Sequence, residues 1–134
     1  MTQIPDDVRA RVRAKASSDW PDDYEMQKHT LEKQLEAYIE LESFRSKFAT
    51  DEFISSVLSF AAANWPDDYE MELHTFKKQL DAGITFFEFK APDVPPDVFE
   101  KIKLKAFSEW PEDHEMKLHT LEKQLTAWRE LHGS

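Results

Sequence analysis

Cysteine is missing from the 134-residue chain and glycine occurs only twice. Without thiols there is no disulfide framework, no zinc–thiolate site and no cysteine nucleophile. Two glycines are too few for glycine-rich phosphate loops or the familiar oxyanion turns. Basic side chains are in the minority: 17 Lys and Arg face 27 Asp and Glu, for a net charge of −10. Such a chain is a poor direct ligand for nucleic-acid phosphates. No apolar run nears the roughly 20 residues of a membrane span. The opening Met-Thr-Gln-Ile-Pro-Asp-Asp has neither the basic nor the apolar region of a signal peptide. The expectation is a soluble, cytoplasmic protein with no membrane partner and no direct nucleic-acid partner.

What is present is a repeat. Trp20, Trp65 and Trp110 are spaced evenly, and each opens the same phrase: WPDDYEMQKHTLEKQLEAYIEL, WPDDYEMELHTFKKQLDAGITF and WPEDHEMKLHTLEKQLTAWREL. Eleven positions are the same in all three copies: Trp20, Pro21, Asp23, Glu25, Met26, His29, Thr30, Lys33, Gln34, Leu35 and Ala37, in the numbering of the first. The register extends upstream, where Val8, Phe53 and Val98 align, as do Ala16, Ala61 and Ala106. The chain is a tandem triplication with a period of about 45 residues. The copies run over 1–45, 46–90 and 91–134, and they carry −3, −4 and −3 of the net charge.

Each copy reads as two helices. Low glycine and abundant Glu, Lys, Leu, Gln and Ala favour helix throughout. Proline flanked by acids precedes an apolar residue at Pro5, Pro21, Pro66, Pro96 and Pro111. Proline suits a first helical turn and acids suit the positive end of the helix dipole. The first helix of each copy should therefore end near the tryptophan and the second should begin at the proline behind it. In the middle copy Tyr69, Leu73, Phe76, Leu80, Gly83 and Phe87 follow spacings of three and four, an apolar seam along one helix face. The equivalent seam turns polar at Lys28, Glu42, His114 and His132 in the outer copies, as the ends of a stacked array require. The fold expected is all-α: three αα-hairpins stacked into one six-helix domain spanning 1–134. The layout resembles tetratricopeptide or HEAT-like helical arrays in a loose architectural sense, although the tetratricopeptide signature is absent and the period differs.

Two sets of recurring residues are candidates for function. The first is a strip on the second helix, away from the seam: Met26, His29 and Lys33, with Met71, His74, Lys78 and Met116, His119, Lys123. Solvated positions should have drifted between copies, as 27, 28 and 36 did, so this face either packs on a neighbour or binds a partner. The second is an acidic edge behind each tryptophan: Asp22, Asp23, Glu25; Asp67, Asp68, Glu70; Glu112, Asp113, Glu115. The helix dipole accounts for much of it, and an array of carboxylates also suits a basic partner. The tryptophans read as aromatic plugs between the two helices of each copy. Glu25/His29 and its copies stand four residues apart on one face, but one Glu and one His are too few for a metal site. No nucleophile–base arrangement or cofactor motif is visible. Arg9, Arg11, Arg13 and Lys15 make the first helix locally basic, as Lys101, Lys103 and Lys105 do in the third copy; these read most simply as solvated faces, with head-to-tail self-association against the acidic corners as the alternative.

The expectation for function is a non-enzymatic protein-binding or adaptor module, with no cofactor and no metal. The alternatives are an acidic, DNA-mimicking inhibitor or immunity-type protein, and a metal-dependent enzyme built on the Glu/His pairs.

Overall fold

The computed structural model describes residues 3–132. Among the described residues it contains six α-helices and no strand: α1 Asp6–Asp19, α2 Tyr24–Lys47, α3 Glu52–Asn64, α4 Tyr69–Glu88, α5 Pro96–Glu109 and α6 His114–His132. None of these is long and apolar enough to cross a membrane.

Local chemistry sets the helix ends. Pro5 and Pro95 stand before α1 and α5, and Pro96 takes the first helical position, where no N–H is needed. Asp51 caps α3 by accepting from the Ile54 N–H at 3.0 Å. Trp20, Trp65 and Trp110 close the short helices, donating their backbone N–H to Ala16, Ala61 and Ala106. The long helices begin three residues later than the prolines suggested. Pro21 lies in a turn, where the Asp23 N–H returns to the Trp20 carbonyl at 3.2 Å. Asp22 takes a left-handed φ of 65°, a conformation that Asp tolerates better than most residues. The helix then starts behind Asp23, whose carboxylate accepts from the Met26 N–H at 3.1 Å. An aspartate cap therefore displaces proline as the starting signal.

The chain divides into two compact units, Met1–Phe76 and Lys77–Ser134, with the division inside α4. In the first, α1 packs on α2, and Val8, Val12, Ala16, Leu35 and Leu41 are buried. Tyr38 meets Tyr69 edge to face with centroids 5.1 Å apart, and Phe44 tilts against Phe76 at 4.9 Å. In the second, α5 packs on α6 around Phe86, Ala106, Leu121 and Leu125. The stretch 91–96 is pinned here: Ala91 and Val94 are buried in the same cluster and joined by a turn hydrogen bond of 3.0 Å.

One contact occurs in both units. The buried Gln34 of α2 donates its side-chain N–H to Asp68 at 2.8 Å and accepts the Tyr69 backbone N–H at 2.7 Å. Gln79 of α4 does the same to Asp113 at 2.9 Å and to the His114 N–H at 2.6 Å. Asp68 and Asp113 also accept from the Met71 and Met116 N–H groups. Each glutamine of one copy thus completes the helix cap of the next and satisfies a first-turn N–H that the helix itself leaves without a partner. The neighbouring positions follow the same pattern. Ala37 and Leu41, like Ala82 and Phe86, are buried beside their glutamine, whereas Leu131 of the third copy is 79% exposed. Among the described residues, no buried side-chain nitrogen or oxygen is left without a partner.

Removing a buried partner strands a buried N–H, at a cost of about 1–3 kcal/mol. Gln34→Ala and Gln79→Ala should each lower the urea-unfolding free energy by that amount. Gln124→Ala, at an exposed site, should leave it within about 0.5 kcal/mol of the parent. Equal effects at all three sites would refute this role for the amide.

Candidate functional site

The two recurring sets differ in how far they are buried. On the strip, His29, His74 and His119 are exposed, as are Lys33, Lys78 and Lys123, while Met26, Met71 and Met116 are half-buried at the margin. Lys33 pairs loosely with Glu36 at 3.8 Å within its own helix, a surface ion pair of small energetic weight. In the second unit a shallow groove of about 320 Å³ brings together Lys78, Glu115, His119 and Glu122. There strip residues of two copies and one residue of the acidic edge share a surface.

The acidic edge is divided in its roles. Asp23, Asp68 and Asp113 are helix caps, and the last two are half-buried under the glutamines. Asp22, Glu25, Asp67, Glu70 and Glu112 are exposed, and Glu115 is half-buried. Asp67 shares a groove of about 490 Å³ with Arg11, Lys15 and Tyr69. The tryptophans are less enclosed than plugs: Trp20 is 39% and Trp65 37% exposed. Trp65 donates its indole N–H to Thr75 at 2.8 Å, which gives the recurring threonine of the middle copy a structural use. Among the described residues, no three or more His, Asp or Glu side chains converge as metal ligands would.

Position 27 and its copies run against the reading that drift marks solvent. Gln27 is half-buried and donates to the Trp20 carbonyl at 2.8 Å. Glu72 and Lys117 at the same position are 2% and 1% exposed. Arg45 of α2 meets Glu72 at 2.8 Å and also holds Glu42. Burial raises the Glu72 pKa, and the guanidinium opposes that shift. Among the described residues, no carboxylate faces Lys117 as Arg45 faces Glu72. Its ammonium lies 4.2 Å over the Phe107 ring and 5.5 Å over Phe86, donates to the Pro111 carbonyl and approaches the His114 Nδ1 at 3.3 Å. Ring faces and lone pairs replace the counter-ion. His114 is therefore not a polar end residue, as its place on the seam suggested, but a buried one at 6% exposure. Burial first, and then the Lys117 charge, lower its pKa from 6.5. Burial also lowers the Lys117 pKa. The lowered His114 pKa favours its neutral imidazole.

At the far end of α6, Arg129 grips Asp93 with two hydrogen bonds of 2.6 and 2.9 Å. That hydrogen bonding holds the Asp93 carboxyl below its usual range. Trp128 stacks on His132 with centroids 4.7 Å apart.

With this geometry in hand, comparison with known proteins adds no relative: no family model, no curated protein and no solved structure matches the chain.

The lowered pKa of His114 carries a sign. Between its folded value and 6.5 the unfolded chain binds more protons than the folded one, so stability falls as pH falls through that window. From about pH 7 to about pH 5, the native chain should lose more unfolding free energy than His114→Phe, each measured against its own value at neutral pH. Parallel pH profiles would show that His114 is not held neutral.

Proposed function

We propose that the chain is an array of three αα-hairpins acting as a non-enzymatic, protein-binding module, with the strip on its second, fourth and sixth helices as the contact face. The observation that carries this is the contrast among recurring residues. Asp23, Asp68 and Asp113 recur and serve as caps; Gln34 and Gln79 recur and tie one cap to the preceding copy; Ala37 and Ala82 recur and are buried. His29, His74, His119, Lys33, Lys78 and Lys123 recur just as strictly, yet are exposed. Recurrence without burial favours a binding role over a packing one. The half-buried methionines beside them add adaptable apolar contact, and repetition offers a partner several equivalent anchor points.

The acidic edge supports the inhibitor reading less well. Three of its nine carboxylates are engaged as caps, and their negative charge is accounted for by the helix starts. The Glu/His pairs draw no support from the convergence that a metal-dependent enzyme would need.

The test uses the full chain as bait in an extract of its native host. A variant with His29→Ala, His74→Ala and His119→Ala should fold with unchanged helicity and lose the partners that the parent captures. A second variant, with Asp22→Asn and Asp67→Asn, should retain them. Capture unaffected by the histidine changes but abolished by the aspartate changes would move the contact to the acidic edge.

A further inference from the structure

We infer that this chain associates head to tail with further copies of itself, the last helix of one copy receiving the start of α2 of the next. The joint would repeat a contact that the chain already makes twice. Inside the first unit, Gln34 of α2 is buried on the start of α4, where it bonds Asp68 and the Tyr69 N–H, and Leu41, Tyr69 and Phe76 are buried as well. Inside the second, Gln79 and Phe86 of α4 take the same positions relative to His114 and Leu121 of α6. The third occurrence of each half is present and uncovered. Gln124 is exposed and Leu131 is 79% exposed, although their counterparts are 9% exposed or less. Tyr24 is 74% exposed, whereas Tyr69 and His114 in its place are buried. The Asp23 carboxylate caps α2 by accepting from the Met26 N–H, while Asp68 and Asp113 each also receive a glutamine.

The two open halves match in chemistry as well as in position. Gln124, Trp128 and Leu131 line one groove of about 280 Å³ with Lys101 and Ile102. In the first unit the equivalent residues of α1, Arg11 and Val12, line the groove that also holds Asp67 and Tyr69. Shifted along the repeat, Asp22 and Tyr24 of an incoming copy would meet Lys101, Ile102 and Lys105. The pairing is acid to base and aromatic to aliphatic, as in the internal joint. Trp128 stands where Tyr38 stands, so it would take Tyr24 as Tyr38 takes Tyr69. The amide N–H of Tyr24 and the carboxylate of Asp23 would gain the glutamine that the later caps have. A contact between unlike faces does not close on itself at two subunits, so it extends into a chain of copies or a ring. This surface is separate from the histidine strip, and either can fail without the other.

Sedimentation velocity of the full chain, from micromolar upward to about 1 mM, reads the outcome. The parent should gain mass with concentration beyond a dimer. Gln124→Ala should weaken association about tenfold or more. Tyr24→Asp, which blocks one face, and Leu131→Asp, which blocks the other, should each be monomeric with unchanged helicity. An equimolar mixture of those two retains one good face of each kind, so it should form a one-to-one dimer and nothing larger. A parent that stays monomeric throughout overturns the inference and leaves the two faces to a different protein. Blocked variants that associate like the parent, or a mixture that gives no dimer, overturn it equally.

Discussion

A primary amide donates through its N–H groups and accepts through its oxygen, and the structure depends on that double capacity. Gln34 and Gln79 each place an amide at the start of a helix belonging to the next copy. The aspartate there already accepts from its own helix, so the glutamine adds a second donor to the same oxygen and supplies the acceptor that the first N–H lacks. Glutamate in this position could not donate when ionised and would set two carboxylates together. Leucine would satisfy neither group. Two such contacts, each worth about 1–3 kcal/mol if broken, are a large share of the roughly 5–15 kcal/mol that holds a domain folded. The amide contact also fixes register, because it reaches one particular cap and no other.

Around this contact the interior tolerates charge where each charge has an answer. Position 27 carries an amide, then a carboxylate, then an ammonium in successive copies. The second is met by Arg45 from the preceding long helix, and the third by two aromatic faces, a carbonyl and a neutral imidazole. Each of these charged groups meets a partner specific to its copy: Arg45 for Glu72, and Phe107 and His114 for Lys117. Burial disfavours the charged forms of Glu72, His114 and Lys117 alike.

The helical class and the order of short and long helices could be read from the sequence, because proline, tryptophan and the three-four spacing act locally. The starts of the long helices were misplaced by three residues, since an aspartate cap outweighs a proline when both are present and the choice depends on the turn between them. Position 27 was misjudged because divergence was equated with solvent, when side-chain identity can also drift in company with a buried partner. The role of Gln34 was missed for a different reason. It recurs in every copy, but it belongs to neither the seam nor the strip, and its partner lies 34 residues away on another helix. Helical periodicity ranks faces within one helix and says nothing of such a reach. The available signal was joint recurrence: an invariant glutamine and an invariant cap aspartate, at the same separation, twice. The strip residues were placed on a helix face by spacing alone, but only the structure distinguishes their exposure from the burial of the glutamine and alanine beside them.

The most direct measurement is amide hydrogen exchange under native conditions, on a solution dilute enough to keep the chain monomeric. The backbone N–H groups of Tyr24, Tyr69 and His114 occupy the same place at the start of the three long helices, and first-turn N–H groups ordinarily exchange fast. Tyr69 and His114 should exchange slowly, close to the most protected amides of their units, while Tyr24 exchanges near the rate of an unstructured chain. In Gln79→Ala, His114 should lose its protection and Tyr69 should keep it. Fast exchange at all three sites, or equal slow exchange that survives removal of the glutamine, would contradict a structure held together by this amide.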